Sequence, residues 1–308
     1  MTITDAVSEA VPDAVAAHSD QDIPIPLWRQ RLKVFRGNKL AIVSCIYILV
    51  LAAACFLIPH IHPTNQTNQA IAFNTPQNEP PSSAHWLGTD SNGFDEFGRI
   101  FFAGEYSLSL GFLAGFITIV VGTVYGMIAG FVGGVVDAVM MRLLDAFLSI
   151  PYIFLLITLI TIFGRSTIFL ICIIGFTGWW GNSRIIRGDA LLIRNLDYAK
   201  ASTSMGASKL HVIKSHVFPN SISNIVTVAT FSVADAILFL SALGFLGLGI
   251  QPPQTDWGTM LQAGADQIQN GFWWEVWPLA VLFILVVVAI NYIGDALRDA
   301  FEVRLLER

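Results

Sequence analysis

Few residues in this chain of 308 have both the type and the spacing that chemistry requires. His60 and His62 stand as H-x-H, which could hold a metal ion weakly and reads more simply as a wet loop pair. Cys45, Cys55 and Cys172 each lie in an apolar run, where a thiol behaves as a small hydrophobe. No G-x-x-x-x-G-K-[ST] occurs, so nucleotide phosphates find no P-loop, and neither H-E-x-x-H nor G-x-S-x-G supplies a hydrolase template. The pattern is not that of an enzyme, and no cofactor site is expected in the chain itself. One carboxylate differs from the rest. Asp235 falls near the middle of an apolar run, where an acid in a bilayer costs about 2.5–3.5 kcal/mol. Such a group faces a bundle interior or a water-filled path. Two readings stand beside each other: a contact lining a translocation path, suited to the amino group of a solute, and a packing hydrogen bond or neutral acid.

The elements that must position these residues follow from composition. Charged residues make up 13% where roughly 25% is usual, and the hydrophobic set reaches 54%. So few charges could not cover a soluble fold of this size. The shortage also excludes a disordered chain, a nucleic-acid binder and a disulfide scaffold, and the net charge of −5 adds nothing for phosphate binding. What remains is an all-α protein of the lipid bilayer.

A spanning helix needs about 20 apolar residues. Six runs qualify: Leu40–Pro59, Ser107–Phe131, Met141–Phe163, Thr167–Gly181, Ile222–Ile250 and Val276–Ile293. Pro151 is expected to kink the third. The second carries Gly111, Gly115, Gly122, Gly126 and Gly130, a ridge that lets another helix approach closely. Of the 17 Lys and Arg residues, 15 fall on one side of these spans and only Arg99 and Arg165 on the other. The positive-inside rule therefore places both termini in the cytoplasm of a cell-membrane protein. Trp28, Trp179, Trp180, Trp273, Trp274 and Trp277 sit at span ends, as an interfacial belt would. Asp137 and Asp145, near the cytoplasmic end of the third span, read as structural.

The expected organisation is a disordered cytoplasmic tail over 1–26, a basic segment and first span over 27–60, and an external loop over 61–105. A core follows over 106–294, with a cytoplasmic loop at about 184–220, and then a cytoplasmic tail over 295–308. That loop holds six of the basic residues. Asp197-Tyr198-Ala199-Lys200-Ala201-Ser202 reads as a short helix, broken at Gly206, with a second helix leading to Pro219. Apolar and small residues on one face, with Lys209 and Lys214 on the other, suit docking onto a partner protein.

Here the chain resembles the permease subunits of binding-protein-dependent ABC importers, whose loop carries E-A-A-x-x-x-G. Lys200, Ala201, Ser202 and Gly206 fall on that signature, with Lys200 in place of Glu and Ser202 in place of the second Ala. Further blocks are similar to the dipeptide/oligopeptide/nickel branch and its second, "C"-type permease. They are His85-Trp86-Leu87-Gly88-Thr89-Asp90, Leu148-Ser149-Ile150-Pro151, Phe245-Leu246-Gly247-Leu248-Gly249 with Asp256-Trp257-Gly258, and Gly294-Asp295-Ala296-Leu297-Arg298-Asp299. Phe94 and Glu105 depart from the Arg often found there, and Leu240 from a common acid; Asp235, five helical residues away, points elsewhere. The resemblance implies a type I importer permease bundle of six spans that carries dipeptides or oligopeptides. It implies a second permease, two cytoplasmic ATPase domains that bind the ATP and Mg, and an extracytoplasmic substrate-binding protein. The coupling residues it implies are Asp197, Tyr198, Ala199, Lys200, Ala201, Ser202, Gly206, Ala207, Ser208 and Leu210. Nickel or another small solute is the alternative cargo, and a stand-alone secondary carrier the alternative mechanism.

Overall fold

The computed structural model describes residues 27–61 and 65–302. The expected tail over 1–26, His62, the side chain of Trp28, and Arg304 and Arg308 lie outside the described residues. Helix α1 (Leu27–Gly37) leads into the first span, α2 (Lys39–Ile61), and a short α3 (Gln69–Ala72) lies in the external loop. Helices α4 (Glu96–Val132), α5 (Gly134–Leu148), α6 (Tyr152–Phe163), α7 (Thr167–Thr177) and α8 (Trp180–Arg194) follow. Two short helices, α9 (Asp197–Ser204) and α10 (Lys209–Val212), precede α11 (Phe218–Phe245), α12 (Trp257–Gln267) and α13 (Trp277–Glu302). Among the described residues the only β pairing is an isolated bridge between Thr89 and Asp95.

Five segments are long and apolar enough to cross a membrane, and α5 with α6 makes a sixth span bent by 82°. The bend falls at Ser149–Pro151, where proline was expected to act. Other boundaries differ from the apolar runs for physical reasons. At 37 residues α4 is about 55 Å long, well beyond a hydrocarbon core, so its first turns stand above the membrane. The fourth span continues past its break at Gly178–Trp179 into α8, so much of the expected 184–220 loop is helix. The fifth span ends at Phe245 rather than Ile250. Gly247 has φ +74°, its N–H reaches Gly244 O at 2.9 Å, and Leu248 N–H reaches Leu243 O at 2.8 Å, which is a Schellman cap.

Helix α4 runs through the middle of the bundle, and its glycines are what let its neighbours close in. A Cβ on Gly126 would stand 2.5 Å from the Ser183 carbonyl, and one on Gly130 would stand 2.6 Å from that of Arg187. Helix α8 therefore lies against α4 with no side chain between them at those points. On the other flank, Gly111 and Gly115 meet Ile237 and Val233 of α11.

The similar blocks of sequence act as structural clamps on the outer side. Asp256 is fully buried and accepts from Ile250 N–H (2.9 Å), Thr259 N–H (3.0 Å) and the Thr259 hydroxyl (2.7 Å). Trp257, equally buried, donates its indole N–H to Ile100 O at 3.0 Å and its backbone N–H to Ser107 Oγ at 3.0 Å. Asp90 accepts from the N–H groups of Asn92 and Phe94, both at 2.8 Å, while burial pushes its pKa up. His85 Nδ1 lies 2.9 Å from Asp95, which also caps α4 through Gly98 N–H. Arg99 reaches Gln66 O at 2.6 Å and lies over the Phe94 ring, its guanidinium carbon 4.0 Å from the centroid. The tryptophan belt is only partly an interface. Trp273 and Trp277 are exposed, but Trp180 stacks on Phe147 and is 5% exposed, and Trp274 is 8% exposed with its indole on Thr89 O.

Asp256→Ala strips the acceptor from three buried donors, each worth about 1–3 kcal/mol when left unpaired. The expected result is a drop of many degrees in the unfolding midpoint of the detergent-solubilised protein, with Asp256→Asn falling between the two.

Candidate functional site

Two places carry the residues singled out above: a cytoplasmic loop and a cavity at membrane depth. The loop begins where α8 ends at Arg194, and Leu196 turns the chain in extended conformation into α9. Asp197 sits in the first turn of α9, where a carboxylate suits the helix dipole. At the far end the Schellman pattern recurs. Gly206, with φ +90°, donates to Thr203 O at 3.0 Å, and Ala207 donates to Ser202 O at 3.2 Å. Ser208 then caps α10 by accepting from His211 N–H at 3.3 Å. Helix, glycine reversal and serine cap thus follow from three adjacent residue types.

The faces of this hairpin differ from the sequence reading. The small residues Ala199 and Ser202 are buried against the bundle, beside a cluster of Met127, Ile186, Ala190, Ile193, Val212 and Val217. Tyr198, Lys200, Ala201 and Leu210 face out, with Leu210 61% exposed. Lys209 and Lys214 are exposed as well, so charge and apolar surface share the outer face rather than dividing the two. Met205, passed over in the sequence, is 82% exposed and the most prominent apolar group there. Its signal was a large thioether directly before the capping glycine of a polar loop. Pro219 breaks nothing: it lies in the first turn of α11, entered from α10 through a π-helical turn at Ile213–Val217.

The cavity has a volume of about 290 Å³ and is walled by α4, the α5–α6 elbow, α6, α7, α8 and α11. Asp235 lies on its wall, exposed, about 15 Å along α11 from the outer end of that helix. Among the described residues no cation and no hydrogen-bond donor meets its carboxylate. The packing reading of Asp235 required such a donor. Around it are other polar groups. Asn182 donates to Ser232 Oγ at 2.8 Å, and Thr177 donates to the Tyr152 hydroxyl at 3.2 Å. Leu240 points the other way and is fully buried, as the turn of about 140° between the two positions requires. Among the described residues no group of three or more His, Cys, Asp or Glu is placed to hold a metal ion.

A bent six-span bundle, an ordered cytoplasmic hairpin and a polar cavity at membrane depth define a transport component. Comparison with known proteins makes the class specific. The family model described as binding-protein-dependent transport system inner membrane component matches residues 122–307, and the N-terminal TM domain of oligopeptide transport permease C matches residues 26–81. The chain belongs to this family of binding-protein-dependent inner membrane permeases. It is 36% identical to the dipeptide transport system permease protein DppC of Bacillus subtilis (strain 168), over 90% of this chain and 85% of that protein. It is likewise 36% identical to the oligopeptide transport system permease protein OppC of Escherichia coli (strain K12), over 90% and 91%. The glutathione transport system permease protein GsiD of Pectobacterium atrosepticum is 32% identical, over 93% and 94%. The MetNI methionine ABC transporter, solved in inward-facing conformations, shares the fold with a TM-score of 0.53 at 19% identity, over 64% of this chain and 93% of that one.

The exposure pattern of the loop predicts a labelling result. In a background lacking the three native cysteines, Met205→Cys reacts with an impermeant maleimide applied to inside-out vesicles, and Ala199→Cys does not. Labelling of Met205→Cys from the outer face only would reverse the sidedness.

Proposed function

We propose that this chain is the permease subunit of an ATP-driven, binding-protein-dependent importer of dipeptides or oligopeptides. The observation that supports it most is the ordered cytoplasmic hairpin, which turns Tyr198, Met205 and Leu210 to water at the end of α8. A second permease completes the path, two ATPase domains bind the hairpin from the cytoplasm, and an extracytoplasmic binding protein delivers the solute. Peptide cargo rests on the relatives: their names give dipeptides, oligopeptides and glutathione, which share a free amino group, a carboxylate and amide bonds.

In this reading the chain holds no ATP. ATP and Mg belong to the partner ATPases, whose closure pushes the hairpin of residues 197–210. Helix α8 carries that push, because α9 follows it after two residues. Asp235 lines the path as an acceptor for the peptide ammonium group, with hydroxyl and amide groups of Tyr152, Thr177, Asn182 and Ser232 nearby to bond the backbone. The elbow at Leu148–Pro151 forms the cytoplasmic part of the same wall.

Two outcomes test this. Gly206→Pro locks φ near −65° where the hairpin needs +90°. With partner subunits in proteoliposomes, uptake is expected to fall to background while membrane levels hold. Stimulation of ATP hydrolysis by the binding protein should be lost, and undiminished stimulation would exclude the lever role. Asp235→Asn keeps the shape and removes the charge, which should weaken uptake of a dipeptide about tenfold and leave its N-acetylated form unaffected. Equal uptake of the free dipeptide by both proteins across the accessible pH range would make Asp235 structural.

A further inference from the structure

Helix α5 is loosely held for an element that shapes a cavity wall. Leu144 is its one buried residue. Apart from that side chain, it is fastened by the Tyr125 hydroxyl on Met140 O (2.7 Å), by the stack of Phe147 on Trp180, and by two ion pairs. Both pairs reach across to α8. Arg187 grips Asp137 with two parallel bonds, Nε to Oδ1 at 2.5 Å and a terminal nitrogen to Oδ2 at 2.7 Å. Arg184 pairs with Asp145 one turn higher on α8, at a half-exposed position. Arg194, on the same face of α8, donates to Val132 O at 3.4 Å, at the turn from which α5 departs.

The other side of α8 is fixed differently. There its backbone lies on Gly126 and Gly130 of α4, where small displacements meet only backbone. Helix α8 can therefore shift along a smooth glycine track on one flank while the other is tied to α5 by directional, bidentate bonds. The far end of α5 is the elbow at Leu148–Pro151, which borders the cavity beside Asp235.

We propose that Arg184 and Arg187 are positioning residues for transport: they tie α5 to α8, so that a displacement of the cytoplasmic hairpin moves the elbow wall of the cavity. The inference rests on the reading of that hairpin as the point where ATPase closure enters. It makes the ion pairs a transmission, not merely a source of stability. A broken pair leaves α8 free to move without α5, and hydrolysis then proceeds without passage of solute.

The test uses the complete transporter in proteoliposomes, reading dipeptide uptake and binding-protein-stimulated ATP hydrolysis together. Asp137→Arg and Arg187→Asp are each expected to lower uptake at least tenfold while stimulated hydrolysis stays within about twofold of the starting protein. The exchanged pair, D137R/R187D, is expected to recover half or more of the uptake. If the single reversals fail to reach the membrane, D137N/R187Q, which keeps the packing and removes both charges, should show the same split. Uptake and hydrolysis falling together, uptake unaffected by the reversals, or no recovery in the exchanged pair would each overturn the proposal. Gly206→Pro run alongside separates the two ideas. If it leaves uptake intact, the hairpin reading fails; if it abolishes uptake while the reversals do nothing, only the ion-pair role fails.

Discussion

The close approach of α8 to α4 is the constraint on which the arrangement depends. Two backbones can come this near only where neither carries a Cβ, and Gly126 and Gly130 meet that condition opposite the carbonyls of Ser183 and Arg187. Without water as a driving force between helices inside a bilayer, such contact has to come from dispersion and geometry. Once α8 lies there, its arginines reach α5, its upper end borders the cavity through Asn182, and its lower end carries α9. The cavity and the hairpin are thus two ends of one helix seated on a glycine track.

Capping solves a second problem, that of ending helices abruptly at defined places. The same Schellman geometry closes α11 at Gly247 and α9 at Gly206. On the outer side it turns the chain back so that Asp256 can collect its three donors. On the cytoplasmic side it produces a reversal with open space around Gly206. One cap is locked by burial and the other stands clear, although both use a single glycine at positive φ.

Much of this was legible in the sequence because membrane spans must be apolar and glycine ridges must pack. The six runs, the kink at Pro151 and the glycine face of α4 are direct consequences of those rules. What was hidden depended on partners distant along the chain. The run of hydropathy stops at Gly181 because Arg184 and Arg187 follow, yet the helix continues, since those charges are met by Asp145 and Asp137, 39 and 50 residues away. Arg99 and the external acids count as surface charges by position, but Asp90, Asp95 and Arg99 are folded into a buried clamp. Trp180 and Trp274 look like headgroup anchors for the same reason and are packed inside. The outer face of the hairpin was half legible. Glycine and serine announced its turns, whereas the direction of Ala199 and Ser202 depended on the cluster beneath them.

Exposed apolar surface means different things on the two parts of this molecule. Along α2, α4 and α13, residues such as Leu49, Phe112 and Ile284 are bare in the isolated chain, but lipid solvates them at no cost. Beyond Arg194 the basic residues place the chain in water, where the same exposure is unfavourable by roughly 25 cal/mol per Å² of apolar area. Leu192, Tyr198, Met205 and Leu210 stand there together on an ordered hairpin, and a thioether 82% exposed is a large item of that kind. Nothing in the fold of the hairpin requires them, because its turns are closed by backbone bonds and its buried face is already filled. Residues that the fold does not need and that water disfavours are the ones a partner would cover. The smaller apolar patch below the membrane is therefore more informative than the far larger one within it.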